Sequence, residues 1–192
     1  MRRTLILIPL VVALITLAAP KATLADAVLS VSTSPGSISV GDTFTVDVAI
    51  TGVTDLYAFG LDLTFDPSLL SATGITEGAF LPSGGDTFFI PGTIDNVGGS
   101  ITSNGDSLIG AIPGVTGMGT LIEIDFTAIA NGTSALDLAN ITLLDSNLAN
   151  IDSTATNGSV TIGTPAVPEP STLTLLISAI ISLAAFARFK SA

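Results

Sequence analysis

Carboxylates are the only side chains in the middle of this chain that could support acid–base or metal chemistry. The chain has no histidine and no cysteine, and its five basic residues all lie outside residues 22–187. Nucleophilic triads and zinc sites in their usual forms are therefore excluded. A glycosidase needs only two carboxylates, but Glu77 and Glu123 stand among 13 aspartates and no spacing sets one pair apart. We predict that the protein is not an enzyme, with a carboxylate glycosidase as the remaining catalytic alternative.

One Asx-rich run near the end of the body is a candidate for cation binding. Residues 145–152 read Asp-Ser-Asn-Leu-Ala-Asn-Ile-Asp, and calcium prefers six to eight hard oxygen ligands. Asp145, Asn147 and Asp152 are therefore candidate calcium ligands. The glycine and terminal glutamate of an EF-hand loop are absent, and an ordinary Asx turn explains the same run. The sequence thus predicts no required cofactor, with calcium as an option at this loop.

The charged residues are strongly partitioned along the chain. Fifteen of the 16 acidic residues lie between Asp26 and Asp152, where there is no Lys, Arg or His. A body with one sign of charge repels nucleic acid and anionic lipid headgroups. We therefore predict no nucleic-acid partner and favour a basic protein or a divalent cation, although simple solubility explains the same pattern. The absence of Trp and the single Tyr give no support to a direct sugar-binding platform.

Alternating apolar and polar residues predict that the body consists of strands. Apolar side chains occupy every second position in residues 43–50, 58–65 and 122–128, as in strands with one face in a core. Shorter candidate strands are 28–33, 69–76, 87–90, 99–102, 107–112, 135–143 and 159–162. Turn sequences such as Asp66-Pro67 and Asn104-Gly105-Asp106 separate them. Many short strands at this spacing predict an all-β, antiparallel β-sandwich.

Outward positions on two of these strands provide a candidate binding face. Asp47, Tyr57 and Asp62 alternate with apolar residues along 44–50 and 56–65, and we expect their side chains to be exposed. A plain solvated surface explains the same three residues.

The N-terminus has the features of an export signal. Met1-Arg2-Arg3 is basic and residues 5–19 are mostly apolar. Ala25-Asp26-Ala27 fits a small-x-small cleavage site, so we predict a signal peptide over residues 1–27, with cleavage after Ala25 as an alternative. An uncleaved membrane anchor is the other interpretation.

The C-terminus has the features of a membrane anchor. A proline-rich linker at 164–170 precedes an uncharged apolar run at 171–187 and a basic tail at 188–192. As a helix the run reaches about 25 Å, slightly less than a hydrocarbon core of about 30 Å. Arg188 and Lys190 supply a membrane stop. Basic residues at both ends favour the cytoplasmic side, so we expect the middle of the chain to lie outside it.

The body resembles the cohesin domain over about 135 residues. The resemblance rests on an ordered set of short motifs, each weak alone: Val40-Gly41-Asp42-Thr43, Phe59-Gly60-Leu61-Asp62-Leu63-Thr64-Phe65-Asp66-Pro67-Ser68-Leu69-Leu70, the Gly119–Phe126 strand and Asn157-Gly158-Ser159-Val160-Thr161-Ile162. It implies a jelly-roll β-sandwich of about nine strands over residues 28–163. It also implies a non-catalytic module that binds dockerin modules through one face.

The tail resembles the PEP-CTERM sorting signal of exopolysaccharide-producing Gram-negative bacteria. Pro168-Glu169-Pro170 is the motif that carries this resemblance, followed by the apolar run and the basic stop. The resemblance implies an exosortase-type processing enzyme, export across the inner membrane, and a final place at the cell surface or in the extracellular matrix. The protein is then membrane-anchored through its C-terminal helix only before processing.

Together these features predict an exported, surface-sorted adhesion or binding module associated with an exopolysaccharide matrix. Its partner would be a dockerin-like or basic surface protein, or a polysaccharide. The alternative is a structural matrix protein without a discrete partner.

Overall fold

The computed structural model describes residues 26–33 and 37–163, which form nine strands and one short 3-10 helix at Leu81–Gly84. The strands are β1 (Ala27–Thr33), β2 (Thr43–Thr64), β3 (Leu70–Glu77), β4 (Thr93–Asp95), β5 (Ser100–Ser107), β6 (Val115–Ala128), β7 (Gly132–Asp145), β8 (Ser153–Thr156) and β9 (Gly158–Ile162). Residues 1–25 of the predicted signal peptide, the linker with its Pro168-Glu169-Pro170 motif, the apolar run and the basic tail lie outside the described residues.

The long strand β2 belongs to both layers of the β-sandwich. Its first half pairs with β1 and β6, and its second half pairs with β5 and β7. The first layer therefore has the order β3-β6-β2-β1-β8, and the second has β4-β5-β2-β7-β9. All pairs are antiparallel except β1 with β8. The predicted all-β sandwich is confirmed.

The core fills the space between the two layers. Inward residues of the first layer, such as Val46 opposite Ile124, face those of the second, such as Leu63 opposite Ile101, and all four are fully buried. Phe126 packs edge-on against Phe65, with ring centroids 5.2 Å apart. Alternation of this kind leaves every second side chain on the outer face of each layer.

Two predicted boundaries were wrong. The runs at 43–50 and 58–65 are one strand, because bulges near Gly52 (φ 72°) and Asp55 (φ 60°) bend β2 from one layer into the other without ending it. Asn104-Gly105-Asp106 is not a turn but lies within β5. The irregularity falls at Ser103 (φ 59°), which forms a bulge opposite β2 and lets the strand continue.

The core is continuous from the first strand to the last. Its buried apolar residues run from Ala27 to Ile162, and Ile38 pairs with Ile162 near the end of the last strand. The buried residues within 26–33 and 37–163 form one continuous cluster, so we expect this body to fold on its own. No helix within the described ranges is long and apolar enough to cross a membrane.

Candidate functional site

The outer face of the second layer is lined mostly by small residues. Cross-strand partners share a face, so Ala58 stands in a row with Ser107 and Leu144, and Gly60 stands in a row with Gly105 and Thr142. These six residues alternate with the buried Phe59, Leu61, Asp106, Leu108 and Leu143. We call the six outward residues, with Phe88 and Ile90 beside them, the small-residue face.

Phe88 and Ile90 form the apolar edge of this face. The segment at residues 86–90 runs antiparallel to β5: Phe88 N–H donates to the Ser107 carbonyl at 2.8 Å, and Ile90 exchanges backbone hydrogen bonds with Gly105. Phe88 is 62% exposed and Ile90 is 47% exposed. Phe89 points the other way and packs against the core. The adjacent Phe88 and Phe89 indicate in the sequence that one ring is turned outward, and the structure identifies it as Phe88.

The three residues predicted as a contact face are not brought together. Asp47 lies on the first half of β2, in the first layer, opposite Ser32 and Glu123. Asp62 lies in the second layer, where its carboxylate accepts hydrogen bonds from Ser103 N–H (2.8 Å) and Asn140 Nδ2 (2.6 Å). Tyr57 donates its hydroxyl to the Gly110 carbonyl at 2.6 Å. Asp62 and Tyr57 thus brace neighbouring segments of the second layer, whereas Asp47 is on the other layer.

The Asx-rich run folds into a loop in which the Asp145 carboxylate accepts backbone hydrogen bonds from the loop itself. Asp145 Oδ1 accepts the N–H groups of Asn147 (2.8 Å) and Ala149 (2.9 Å). Ser146 donates its hydroxyl to Asp55 at 2.7 Å, which attaches the loop to the bend of β2. Asn147 and Asp152 are exposed. Within residues 26–33 and 37–163, no three His, Cys, Asp or Glu side chains are placed to share a metal.

A buried polar cluster lies between the layers, where the sequence had predicted a turn. Because β5 is continuous, Asn104 and Asp106 point inward beside Leu61 and Phe59, with 1% and 4% of their surface exposed. Asn104 Nδ2 donates to the Pro91 carbonyl at 2.9 Å. Asn104 Oδ1 and Asp106 Oδ2 have no donor among the described residues.

Glu77 meets Asp106 from the opposite layer. Glu77 ends β3 opposite the buried Ile122, and it accepts a hydrogen bond from the Thr87 hydroxyl. Burial, followed by the hydrogen bond and the negative charge of Glu77, raises the pKa of Asp106 from its ordinary 3.8 to about 7. The sequence did not separate this pair from the other acids, because the two residues lie on strands of different layers.

The pair does not form a glycosidase site. Such a site needs a cleft that places a sugar between two carboxyl groups. Asp106 is only 4% exposed and lies on the inward face of β5. A substrate therefore has no access to the pair in this fold.

Comparisons with known proteins identify the fold. A family model described as the cohesin domain matches residues 28–162. Among curated protein sequences, none matches significantly.

Solved cohesin structures superpose on most of the chain. A non-cellulosomal cohesin from the archaeon Archaeoglobus fulgidus is 17% identical, with a TM-score of 0.58 over 73% of this chain and 93% of that chain. A type II cohesin module from an adaptor scaffoldin of Acetivibrio cellulolyticus is 15% identical, with a TM-score of 0.61 over 73% of this chain and 98% of that chain. The cohesin in a type II cohesin–X-dockerin complex from the same organism is 14% identical, with a TM-score of 0.61 over 72% and 100%. Chains consisting of little more than this domain thus adopt the same fold.

Proposed function

The chain belongs to the cohesin domain family, a family of non-catalytic binding modules, and we propose that its small-residue face binds a dockerin-type protein. Cohesin domains are typically extracellular or surface-associated. Among the similar structures, several contain a cohesin together with a dockerin.

The pairing of glycines beside exposed apolar side chains is the observation that carries this proposal. Gly60 and Gly105 stand side by side at the centre of the small-residue face, so a partner can approach the backbone closely. Phe88 and Ile90 add exposed apolar area at one edge. Exposed apolar patches often mark interaction sites, and aromatic side chains are frequent among the residues that contribute most to binding energy.

The negative charge of the body indicates which charge its partner should have. Fifteen acids between Asp26 and Asp152, with no Lys, Arg or His among them, favour a partner with a basic contact face. We expect association to slow as salt rises, because screening over about 10 Å at 0.1 M removes long-range attraction.

Two glycine substitutions test the face. A Cβ at Gly60 meets only the Asn104 carbonyl oxygen, at 3.8 Å, and a Cβ at Gly74 in the first layer meets only Asp125 Oδ2, at 3.6 Å. Both positions therefore accept a side chain without a clash. Against immobilised purified dockerin modules, Gly60→Gln should weaken binding at least tenfold, whereas Gly74→Gln should leave it within twofold. Equal effects of the two variants would contradict the assignment of the face.

We also propose that the protein reaches the cell surface through its two ends. The signal peptide would direct export, and an exosortase-type enzyme would cleave near Pro168-Glu169-Pro170 and remove the apolar run. Cleavage after Ala25 is favoured over cleavage after Ala27, because Ala27 is buried and pairs with Ser153 in the fold. Mass spectrometry of the mature protein from its native cells should find neither end. Recovery of peptides through Arg188 as the main surface form would argue against this sorting.

Association with a polysaccharide matrix is the second candidate function, and the resemblance of the tail to PEP-CTERM signals favours it. Calcium could bridge the acidic body to an anionic polysaccharide. Purified polysaccharide should then retain the protein only in the presence of calcium and release it on chelation. Retention of a dockerin module with no retention of polysaccharide would favour the protein partner, and retention of neither would leave a structural role in the matrix.

A further inference from the structure

The polar cluster of Glu77, Asn104 and Asp106 has more hydrogen-bond acceptors than donors. Glu77 comes from one layer and Asp106 from the other, and Asn104 lies two residues before Asp106 on the same inward face of β5. Asn104 and Asp106 are each more than nine-tenths buried, and each retains an oxygen without a donor among the described residues. All the unsatisfied atoms are acceptors.

The body has no cationic side chain that could pair with these oxygens. There is no Lys, Arg or His between residues 22 and 187, so an ion pair within the body is excluded. Phe59 and Phe89, which flank Asp106, are apolar, and Thr87 already donates to Glu77. Within the part of the chain that the structure describes, Glu77 is thus the one ionisable group found to act on Asp106. A buried carboxylate without a counter-charge is costly, so the cluster requires either a proton or an external cation.

We propose that this cluster is a binding site for one divalent cation, calcium, held between the carboxylates of Glu77 and Asp106. The hydroxyl of Thr87 and the amide oxygen of Asn104 are the further protein oxygens available, with water completing the shell. An all-oxygen donor set selects hard cations over transition metals. Calcium is favoured over magnesium because it accepts irregular arrangements of six to eight oxygens, whereas magnesium demands a near-ideal octahedron. This site is separate from the Asx-rich loop and does not depend on the proposed partner.

Protons compete with a cation for the same oxygens. Calcium binds carboxylates in their ionised form, so binding becomes weaker as the ligands are protonated. Calcium affinity should therefore fall as the pH decreases.

The first experiment measures thermal unfolding of residues 26–163, the body, after treatment with chelator. At pH 8, calcium at a hundredfold excess over its Kd should raise Tm by about 5–10 °C. Asp106→Asn and Glu77→Gln should each abolish this rise. Asp152→Asn in the Asx-rich loop and Glu123→Gln on the outer face are the matched controls and should retain it. The full-length chain in detergent should behave in the same way.

The second experiment is calorimetric titration with calcium at pH 8. A stoichiometry near one in the wild type, and no binding heat in Asp106→Asn, would support the site. The proposal is overturned if millimolar calcium leaves Tm unchanged at pH 8, or if Asp106→Asn and Glu77→Gln keep the full rise. It is also overturned if Asp152→Asn alone abolishes the rise, because the cation would then bind at the loop.

Discussion

Replacing Asp106 by asparagine should stabilise the cation-free protein. Asparagine has nearly the same size as aspartate, so the substitution leaves no cavity between Phe59 and Phe89. It removes a carboxyl group that is 4% exposed and faces Glu77 without a compensating charge. The new amide can instead donate a hydrogen bond to the Glu77 carboxyl group. Replacing a buried charge by a hydrogen-bonded neutral group removes its desolvation cost.

The size of the gain follows from the pKa of Asp106 and depends on pH. The folded-state pKa is about 7, above the ordinary value of 3.8. A raised pKa means that the folded state holds the proton more tightly, so the contribution of Asp106 to stability is fully present below pH 3.8 and is lost as the pH rises through 7. At about 1.4 kcal/mol per pH unit over about three units, the loss reaches about 4 kcal/mol above pH 7. Asp106→Asn should recover most of this amount.

Urea unfolding of residues 26–163 in chelator, from pH 4 to pH 8.5, measures this effect. The variant and the wild type should have equal stability near pH 4 and should diverge until about pH 7, after which the difference should stay constant. Asp137→Asn, at an exposed position of β7, is the control and should change stability by less than about 0.5 kcal/mol at every pH. A variant that is less stable than the wild type at pH 8, or a gain that does not vary with pH, would refute the reasoning.

Three further substitutions test the packing of the sandwich. Leu63→Asp should prevent folding, because it places an unpaired carboxylate at a fully buried position; loss of the β-type circular dichroism spectrum would show it. Asp62→Asn should cost about 1 kcal/mol in urea unfolding, because the carboxylate accepts from Ser103 and Asn140; a cost near zero would mean that these bonds are not formed in solution. Gly78→Ala should lower the free energy of unfolding by about 2–4 kcal/mol in the same assay, since its Cβ would lie 2.2 Å from the Thr120 carbonyl oxygen. An unchanged unfolding midpoint would show that the chain at Gly78 can move away from β6.

Several features of the fold follow directly from the sequence. Period-two alternation in residues 43–50, 58–65 and 122–128 identified the strands that form the centre of both layers. Asp66-Pro67 ends β2 as predicted, since Asp66 accepts hydrogen bonds from Ser68 and Leu70 returns to the core. The cohesin resemblance was confirmed over residues 28–162. These features are local, so a short window of sequence contains the information that determines them.

The residues of the proposed binding surface could be predicted from the sequence only in part. Adjacent Phe88 and Phe89 indicate in the sequence that one ring is exposed, but not which face it joins. Tyr57 and Asp62 were expected on a free surface, whereas both form hydrogen bonds to residues more than 40 positions away in sequence. Asp47 and Asp62 share a strand but lie in different layers. The bend of β2 places these two residues in different layers. The alternation of apolar and polar residues along the strand does not reveal where that bend lies.

The contact between Asp106 and Glu77 depends on tertiary structure alone. Asn104-Gly105-Asp106 has the composition of a turn, yet pairing with β2 continues through it because the bulge forms one residue earlier, at Ser103. That shift of one position turns Asp106 inward, where it meets Glu77 from the other layer. In a strand, side-chain direction reverses at every residue, so the position of one bulge determines which side chains are buried. Sequence alternation predicts the strands, but the pairing between them determines where each bulge falls.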